Sequence, residues 1–192
     1  MGTDIVVHSL NPFPKSVGST PMTIPTLTTQ RLTLRPFRAS DDQAYHQIVA
    51  QEGVLQYFPE PTPPSLPKVQ ATLSRLNEHW EKYGYGVWAV ELAGSGELIG
   101  RCGLFYIPQT DETEVDYLLA KQHWGKGFAS EAASEALRFA FENAQKAAIV
   151  GIVHPENLAS QHVLEKIGMH FTRADNYFGM DCLRYEIVRG SG

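Results

Sequence analysis

The spacing of hydrophobic residues divides most of the chain into strand-like and helix-like segments. Segments with alternating or continuous apolar residues predict strands, at 31–37, 86–92, 97–107, 113–120, 148–153, 169–174 and 181–188. Segments with apolar residues every three or four positions predict helices, at 41–50, 68–83, 128–143 and 158–167. The order is a strand, two helices, an antiparallel meander, and then a helix, a strand, a helix and a hairpin. This order predicts an α/β fold with a mixed, mostly antiparallel sheet.

Local signals support several of these boundaries. Ser40 and Gln43 form a capping-box pattern at the start of the first helix. Asn157 stands where the N-cap of the last helix is expected. A helix connects the strands at 113–120 and 148–153, so we expect these two strands to run parallel. The charged residues of the third helix are expected to form its solvated face, and they are Glu131, Glu135, Arg138 and Glu142.

The start of the chain differs from the rest. Residues 1–26 contain four prolines and little periodicity, so we expect a tail that either packs on the domain or is partly disordered. One domain is expected over 27–189. The loops at 56–67 and 175–181 are candidate walls of a substrate cleft, with ordinary surface loops as the alternative.

Composition narrows the classes of function. A net charge of −5 and the lack of a basic run argue against a nucleic-acid partner. The sequence has no apolar run of membrane-spanning length and no signal peptide, so we expect a cytoplasmic protein with no membrane partner. The two cysteines form no CxxC pair and the seven histidines lack metal-ligand spacing, so no metal is expected. A monomer or a homodimer is expected.

A glycine-rich segment, Q-H-W-G-K-G at 122–127, joins a predicted strand to a predicted helix. Glycine lets the backbone approach a ligand, and the free N–H groups at a helix start favour an anion such as phosphate. A Walker A loop needs Ser or Thr after Lys126, where Gly127 stands. A dinucleotide-binding loop needs a third glycine where Ser130 stands. A third phosphate-loop pattern, Gln-x-x-Gly-x-Gly, and a ligand-free connection remain.

Three separate motifs resemble those of the GNAT family of N-acetyltransferases. The segment 122–132 resembles the family's coenzyme A loop and the helix start that follows it. Asn157-x-x-Ser160, followed by L-E-K-I-G-M at 164–169, resembles the signature after its parallel strand. T-Q-R-L-T-L-R at 29–35 resembles the RimJ/RimL-like branch, which acetylates ribosomal-protein N-termini. The resemblance implies the GNAT fold over about 27–189, with a splayed central pair of parallel strands and about four helices.

The same resemblance implies a coenzyme A site, with acetyl-CoA as co-substrate and no metal. The backbone of 117–119 would hold the pantetheine arm, and the amides of 125–129 would hold the pyrophosphate. Asn157 would bind the pantetheine arm, cap its helix, or do both. The implied binding residues are Tyr117, Leu118, Leu119, Gln122, Gly125, Lys126, Gly127, Phe128, Ala129, Asn157 and Ser160.

The implied reaction is direct attack of a primary amine, on a peptide N-terminus or a small molecule, on the acetyl thioester. Many family members carry a tyrosine acid seven residues after the asparagine, where this chain has Leu164. In the RimJ/RimL-like branch the serine of Asn-x-x-Ser lies near the sulfur, so the resemblance implies Ser160 as the candidate acid, with a plain polar residue in the first helical turn as the alternative. The candidate bases are carboxylates, and desolvation or a water chain is the alternative; they are Glu114, Asp116 and Asp181. The missing tyrosine also leaves open a catalytically silent acyl-CoA-binding or regulatory module.

Overall fold

The computed structural model describes residues 23–190, so most of the predicted tail lies outside the described residues. Within them, eight strands form one sheet. They are β1 (Leu27–Thr28), β2 (Leu32–Arg35), β3 (Val87–Leu92), β4 (Leu98–Ile107), β5 (Glu112–Leu119), β6 (Ala148–Val153), β7 (His170–Tyr177) and β8 (Met180–Val188). The α-helices of this part of the chain are α1 (Asp42–Val49), α2 (Leu66–Tyr83), α3 (Phe128–Glu142) and α4 (Leu158–Lys166).

The strand order in the sheet is β1-β2-β3-β4-β5-β6-β8-β7. The pair β5 and β6 is parallel, as the crossover helix α3 between them requires, and the other neighbouring pairs are antiparallel. Glu114 and Val150 are the register pair that joins β5 to β6, whereas β4 and β5 pair at eight positions. β5 and β6 therefore touch briefly and then diverge. This mixed sheet with a splayed parallel pair confirms the predicted fold.

Helices cover both faces of the sheet. Because neighbouring strand residues point to opposite faces, Val87 and Ala89 of β3 pack with α1 and α2, where they meet Leu73. Trp88 of the same strand points the other way and packs with α3. The α3 residues in that core are mostly small, which lets the helix lie close to the sheet; they are Ala132, Ala133, Ala136 and Ala140. Two apolar layers thus hold β5, between β4 and β6, in the middle of the fold.

The predicted capping box at Ser40 and Gln43 is wrong. The carboxylate of Asp41 instead accepts a hydrogen bond from the backbone N–H of Arg38 at 2.7 Å. The same carboxylate is ion-paired with the guanidinium of Arg35 at 2.7 Å, and both side chains are buried. This ion pair between β2 and the start of α1 fixes the entry to the helix, and Ser40 makes no capping bond there.

The closing hairpin is longer than predicted. β7 continues to Tyr177 and β8 begins at Met180, so the expected loop at 175–181 shrinks to a two-residue turn. The turn residues, Phe178 and Gly179, have φ angles of +55° and +79°. Two-residue hairpin turns of type I′ require positive φ at both positions, which glycine accepts easily and phenylalanine does not. A bulky residue is therefore held in a strained conformation at the tip of this hairpin.

Candidate active site

A cavity of about 930 Å³ lies where β5 and β6 diverge. Consecutive residues of β5, from Glu114 to Leu119, all line it, so the cavity is reached from both faces of the sheet. The glycine loop, the start of α3, the loop after β6 and α4 form one part of its wall. β4, α2, the loop before α2 and the β7–β8 turn form the other part. Its volume is in the range that holds small-molecule ligands and cofactors.

The glycine loop enters α3 through two residues in the left-handed region. The φ angles are +70° at Gly125 and +79° at Gly127, which glycine adopts without strain. A Cβ at Gly125 would have no heavy atom within 4 Å, and a Cβ at Gly127 would have only the Arg31 guanidinium, at 3.5 Å, apart from chain neighbours. The first N–H groups of α3, beginning at Phe128, have no partner within the helix. The loop therefore presents an open surface that suits an anion.

Glu131 is not part of the solvated face on which it was predicted. Its carboxylate accepts hydrogen bonds from the Thr29 hydroxyl at 2.6 Å and from the Arg31 backbone N–H at 2.9 Å. The Arg31 side chain donates to the same carboxylate at 2.6 Å and to the carbonyl of Lys126 at 3.0 Å. The segment just before β2 therefore ties together the glycine loop and the first turn of α3.

Asn157 caps α4, because its Oδ1 accepts a hydrogen bond from the backbone N–H of Ser160 at 3.1 Å. The Ser160 hydroxyl lies 2.7 Å from the hydroxyl of Tyr117 on β5. The Tyr117 hydroxyl is also 3.1 Å from the Ser160 carbonyl. Burial raises the pKa of Tyr117, so this hydroxyl stays protonated at neutral pH. The two hydroxyls bridge β5 and α4 at the cavity wall.

Glu114 and Asp116 lie two residues apart on β5 and both line the cavity. Asp116 is ion-paired with Arg101 of β4, with Oδ2 2.9 Å from Nε. A second contact joins its Oδ1 to an Arg101 terminal nitrogen at 3.2 Å. The guanidinium of Arg101 also lies over the ring of Phe58, 5.7 Å from its centroid. Both carboxylate oxygens of Asp116 are therefore already engaged.

The surroundings of Glu114 favour its neutral form. Burial raises the pKa of Glu114 well above its usual value, and the nearby charge of Asp116 raises it further. A hydrogen bond from the backbone N–H of Ile152 and the charge of Arg101 act in the opposite direction, but burial dominates. A carboxylate with a raised pKa takes up a proton more readily near neutral pH, as a general base must.

Most of the predicted site residues line this cavity, namely Glu114, Asp116, Tyr117, Leu118, Leu119, Gly125, Gly127, Phe128, Ala129, Asn157 and Ser160. Gln122 and Lys126 are exposed and are not part of the lining. Asp181 also lies outside it, between Met180 and Cys182, which do line it. Because neighbouring strand residues point to opposite faces, the carboxylate of Asp181 points away from the cavity. Asp181 is thus separated from the other two candidate bases.

The sequence patterns did not identify the aromatic wall of the cavity. Phe105 of β4 is the register partner of Glu114, and its side chain is 38% exposed. Phe178 at the β7–β8 turn is 47% exposed and also lines the cavity. Arg75 and His79 of α2 lie on the same wall. The register of the β4–β5 hairpin places Phe105 opposite Glu114. To predict this register from the sequence, the turn between the two strands must be placed at the right residues.

Leu164 occupies the position of the usual tyrosine acid and is 2% exposed. It packs on Gly151 of β6, where an added Cβ would come within 2.6 Å of the Leu164 side chain. Leu164 therefore serves the packing of α4 against the sheet and offers no proton donor.

Within residues 23–190, no three histidine, cysteine, aspartate or glutamate side chains come together as a metal site. None of the helices in this range combines the length and the apolar character that crossing a membrane requires.

Residues 31–170 match the family model of the acetyltransferase (GNAT) domain. The chain is 36% identical over 115 residues to the uncharacterized protein YkkB of Bacillus subtilis strain 168, a match that covers 57% of this chain and 66% of YkkB. It is 29% identical over 153 residues to the uncharacterized N-acetyltransferase YnaD of the same organism, covering 79% of this chain and 85% of YnaD.

Solved structures share the fold over most of the chain. An acetyltransferase from Agrobacterium tumefaciens strain C58 superposes with a TM-score of 0.78 at 30% identity, covering 91% of this chain and 100% of that one. RimL, a ribosomal L7/L12 alpha-N-protein acetyltransferase in complex with coenzyme A, superposes with a TM-score of 0.74 at 16% identity, covering 85% and 98%. The second likeness concerns the fold alone. Taken with the family model and the site geometry, these matches show that the chain belongs to the GNAT family of acetyltransferases.

Proposed function

We propose that this protein transfers the acetyl group of acetyl-CoA to a primary amine by direct attack of the amine on the thioester. The observation that carries the proposal is the cavity at the divergence of β5 and β6. It combines a loop suited to an anion with a partly buried carboxylate, Glu114, whose pKa is raised. Membership of the GNAT family supports the same activity.

The residues around the cavity fit coenzyme A. The open surface at Gly125 and Gly127 would receive the pyrophosphate on the N–H groups of the α3 start. The edge of β5 beyond its contact with β6 would pair with the amides of pantetheine as with an added strand. The carbonyl of Leu119 is engaged by the indole N–H of Trp124 at 2.8 Å, and the carbonyl of Leu118 points towards Gly100 of β4, which leaves Tyr117 for this role. Acetyl-CoA would supply an acetyl group on a thioester, which amines attack readily.

Glu114 is the proposed general base. Its raised pKa suits it to remove the proton from the attacking nitrogen near neutral pH, directly or through one water. Asp116 is the weaker candidate because Arg101 engages both of its oxygens. Asp181 faces away from the cavity and is left out of the proposal.

Ser160 is proposed to stabilise the departing sulfur. The single hydrogen of the Tyr117 hydroxyl can go to the Ser160 carbonyl at 3.1 Å or to the Ser160 hydroxyl oxygen at 2.7 Å. In the second arrangement the Ser160 hydrogen is free to point into the cavity. Serine is a weak acid, so Ser160 contributes a hydrogen bond and water supplies the proton. A thiol has a pKa of about 8.5, so the stabilisation that the leaving sulfur requires is small.

Replacing Ser160 with Ala is expected to lower kcat and kcat/KM together by roughly threefold to tenfold, the worth of one neutral hydrogen bond. The helix cap is retained in this variant, since the bond to Asn157 comes from the backbone N–H of residue 160. Steady-state thiol release checks the prediction. A raised KM for acetyl-CoA with unchanged turnover would make Ser160 a binding residue instead.

A catalytically silent acyl-CoA-binding module is the second candidate, because the usual tyrosine acid is replaced by the buried Leu164. Thiol release from acetyl-CoA, measured with peptide N-termini, polyamines, aminoglycosides, amino acids and simple amines, separates the two. Calorimetric binding of coenzyme A to the same preparation serves as the control for a folded site. We expect amine-dependent thiol release. Coenzyme A binding without release in the presence of any amine would favour the silent module.

A further inference from the structure

We propose that the acceptor is an amine with one positive charge joined to an apolar or aromatic body, which binds between Phe105 and Phe178. This inference rests on the proposed acetyl transfer and adds the class of substrate. Four features support it: the position of Phe105, the neutral residue behind it, the strained turn at Phe178, and the balance of charges along the cavity.

Phe105 lies directly opposite Glu114 in the antiparallel pair of β4 and β5. Directly opposed residues point to the same face, with Cβ atoms about 5 Å apart. The proposed base and a half-open aromatic ring are therefore neighbours on the wall of the cavity. An amine held at Glu114 would place the atoms next to its nitrogen against this ring.

The residue that packs behind the Phe105 ring, His79, is uncharged. The ring of His79 stacks on Phe105 with centroids 4.8 Å apart. The backbone N–H of Tyr106 donates to its Nε2 at 3.1 Å, so its Nδ1 carries the hydrogen and donates to the Tyr85 carbonyl at 2.9 Å. Burial lowers the pKa of His79, and both ring nitrogens are engaged. His79 therefore offers no charge or free hydrogen bond to an acceptor and serves as an apolar backing for Phe105.

Phe178 reaches the cavity from a conformation that its side chain disfavours. Its φ of +55° lies in the left-handed region, where Asn and Gly are the usual residues of a two-residue hairpin turn. The ring is 47% exposed, so burial in the core does not account for the residue. Strain of this kind is typical of functional positions. A contact with the acceptor gives a reason for an aromatic residue at this turn.

The charges along the cavity fit a single amine. Three acidic and three basic residues line it, namely Glu114, Asp116, Glu156, Arg75, Arg101 and Lys166. One of the acidic residues, Asp116, is already paired with Arg101. A polyamine or an aminoglycoside would bring several positive charges to a wall that has no excess of carboxylates, and unpaired charges are costly to desolvate. One ammonium group beside Glu114 would favour the ionised form of this carboxyl group by its opposite charge, so the single charge is balanced and the apolar remainder brings no other.

The test is Phe178→Asn, with 2-phenylethylamine and ethylamine as acceptors. Asn-Gly is the preferred type I′ turn, so this variant is expected to be at least as stable as the wild type. We expect its KM for 2-phenylethylamine to rise by about tenfold or more, the usual effect of lost apolar contact in a pocket, with its KM for ethylamine unchanged. Phe171→Asn is the matched control, because Phe171 is a 55% exposed ring on the same hairpin that does not line the cavity.

The outcomes separate this inference from the proposed function. A wild-type preference for spermidine over 2-phenylethylamine in kcat/KM, or an unchanged KM ratio in Phe178→Asn, would overturn the inference while acetyl transfer stands. If the wild type acetylates no amine, the proposed function fails. Calorimetry of 2-phenylethylamine with the coenzyme A complex then tests the acceptor site on its own. Weaker binding in Phe178→Asn than in the wild type supports the site. Equal binding in the two proteins, or no binding, rejects it.

Discussion

Replacing Glu114 with Gln is expected to lower kcat/KM by on the order of a hundredfold or more, the usual cost of losing a general base. Gln keeps the shape of the side chain but cannot take a proton. The wild-type rate should fall as the pH drops through the raised pKa of Glu114. The variant should lack this acidic limb, and rates of thiol release measured across pH provide the check.

The same substitution is expected to raise stability at neutral and alkaline pH. The pKa of Glu114 is raised in the folded protein, so between the ordinary carboxyl value near 4.5 and the raised value the folded state binds more protons than the unfolded state. Stability therefore falls as pH rises through this interval, and above it the folded protein carries the full cost of holding Glu114 ionised. Glu114→Gln removes this cost, and chemical unfolding at pH 8 should show a gain that disappears below pH 4.5.

Two matched variants make the assignment specific. Asp116→Asn is expected to reduce the rate less than Glu114→Gln, because Asp116 is tied to Arg101. Asp181→Asn should leave the rate unchanged, since its carboxylate points away from the cavity. Wild-type rates in Glu114→Gln would show that desolvation or a water chain serves in place of a carboxylate.

Gly127→Val is expected to weaken coenzyme A binding by at least about tenfold in Kd, or roughly 1.4 kcal/mol. The added side chain would fill the open surface in front of the α3 start, where only the Arg31 guanidinium now approaches. Valine is also strained at the φ of +79°, at a cost of about 1–2 kcal/mol. Isothermal titration calorimetry with coenzyme A measures the change.

Gly96→Val separates strain from obstruction. Gly96 lies in the β3–β4 turn with a φ of +70° and open space around it, so the backbone strain is similar, and it does not line the cavity. Gly96→Val should lose stability and bind coenzyme A with the wild-type Kd. Equal affinities for coenzyme A in folded Gly127→Val and the wild type would exclude a pyrophosphate at this loop.

Local sequence signals identified the elements whose causes are local. The cap at Asn157 depends on contacts within four residues, and the structure has it. The crossover from β5 to β6 follows from one helix between two strands, and the splayed pair followed from the family resemblance. The capping box at Ser40 failed because a residue distant from the helix face, Arg35, draws Asp41 into a buried ion pair.

The remaining misses depend on contacts between distant parts of the chain. Glu131 has the spacing of a solvated residue on α3, but Thr29 and Arg31 come from about a hundred residues away to bind it. The role of Asp181 as a base stays a prediction, but Asp181 lies one residue from Met180 and Cys182 on β8 and is outside the cavity lining that they form. Phe178 resembled loop sequence because its turn lacks the usual Asn. The sequence therefore did not predict the directions of these side chains or the residues that they contact.

A covalent route through a cysteine is the alternative to direct transfer. Cys182 lines the cavity, so its sulfur is within the same space as the proposed site. Burial raises the pKa of Cys182, and the charge of Glu114 raises it further, so the reactive thiolate is scarce at neutral pH. The surroundings of this thiol therefore favour direct attack by the amine.

The measurement that tests direct transfer most sharply is the initial rate of thiol release with acetyl-CoA and 2-phenylethylamine both varied. Direct attack requires both substrates in the cavity at once, so we expect double-reciprocal lines that intersect. Parallel lines, the pattern of an acetylated enzyme that forms before the amine binds, would contradict it.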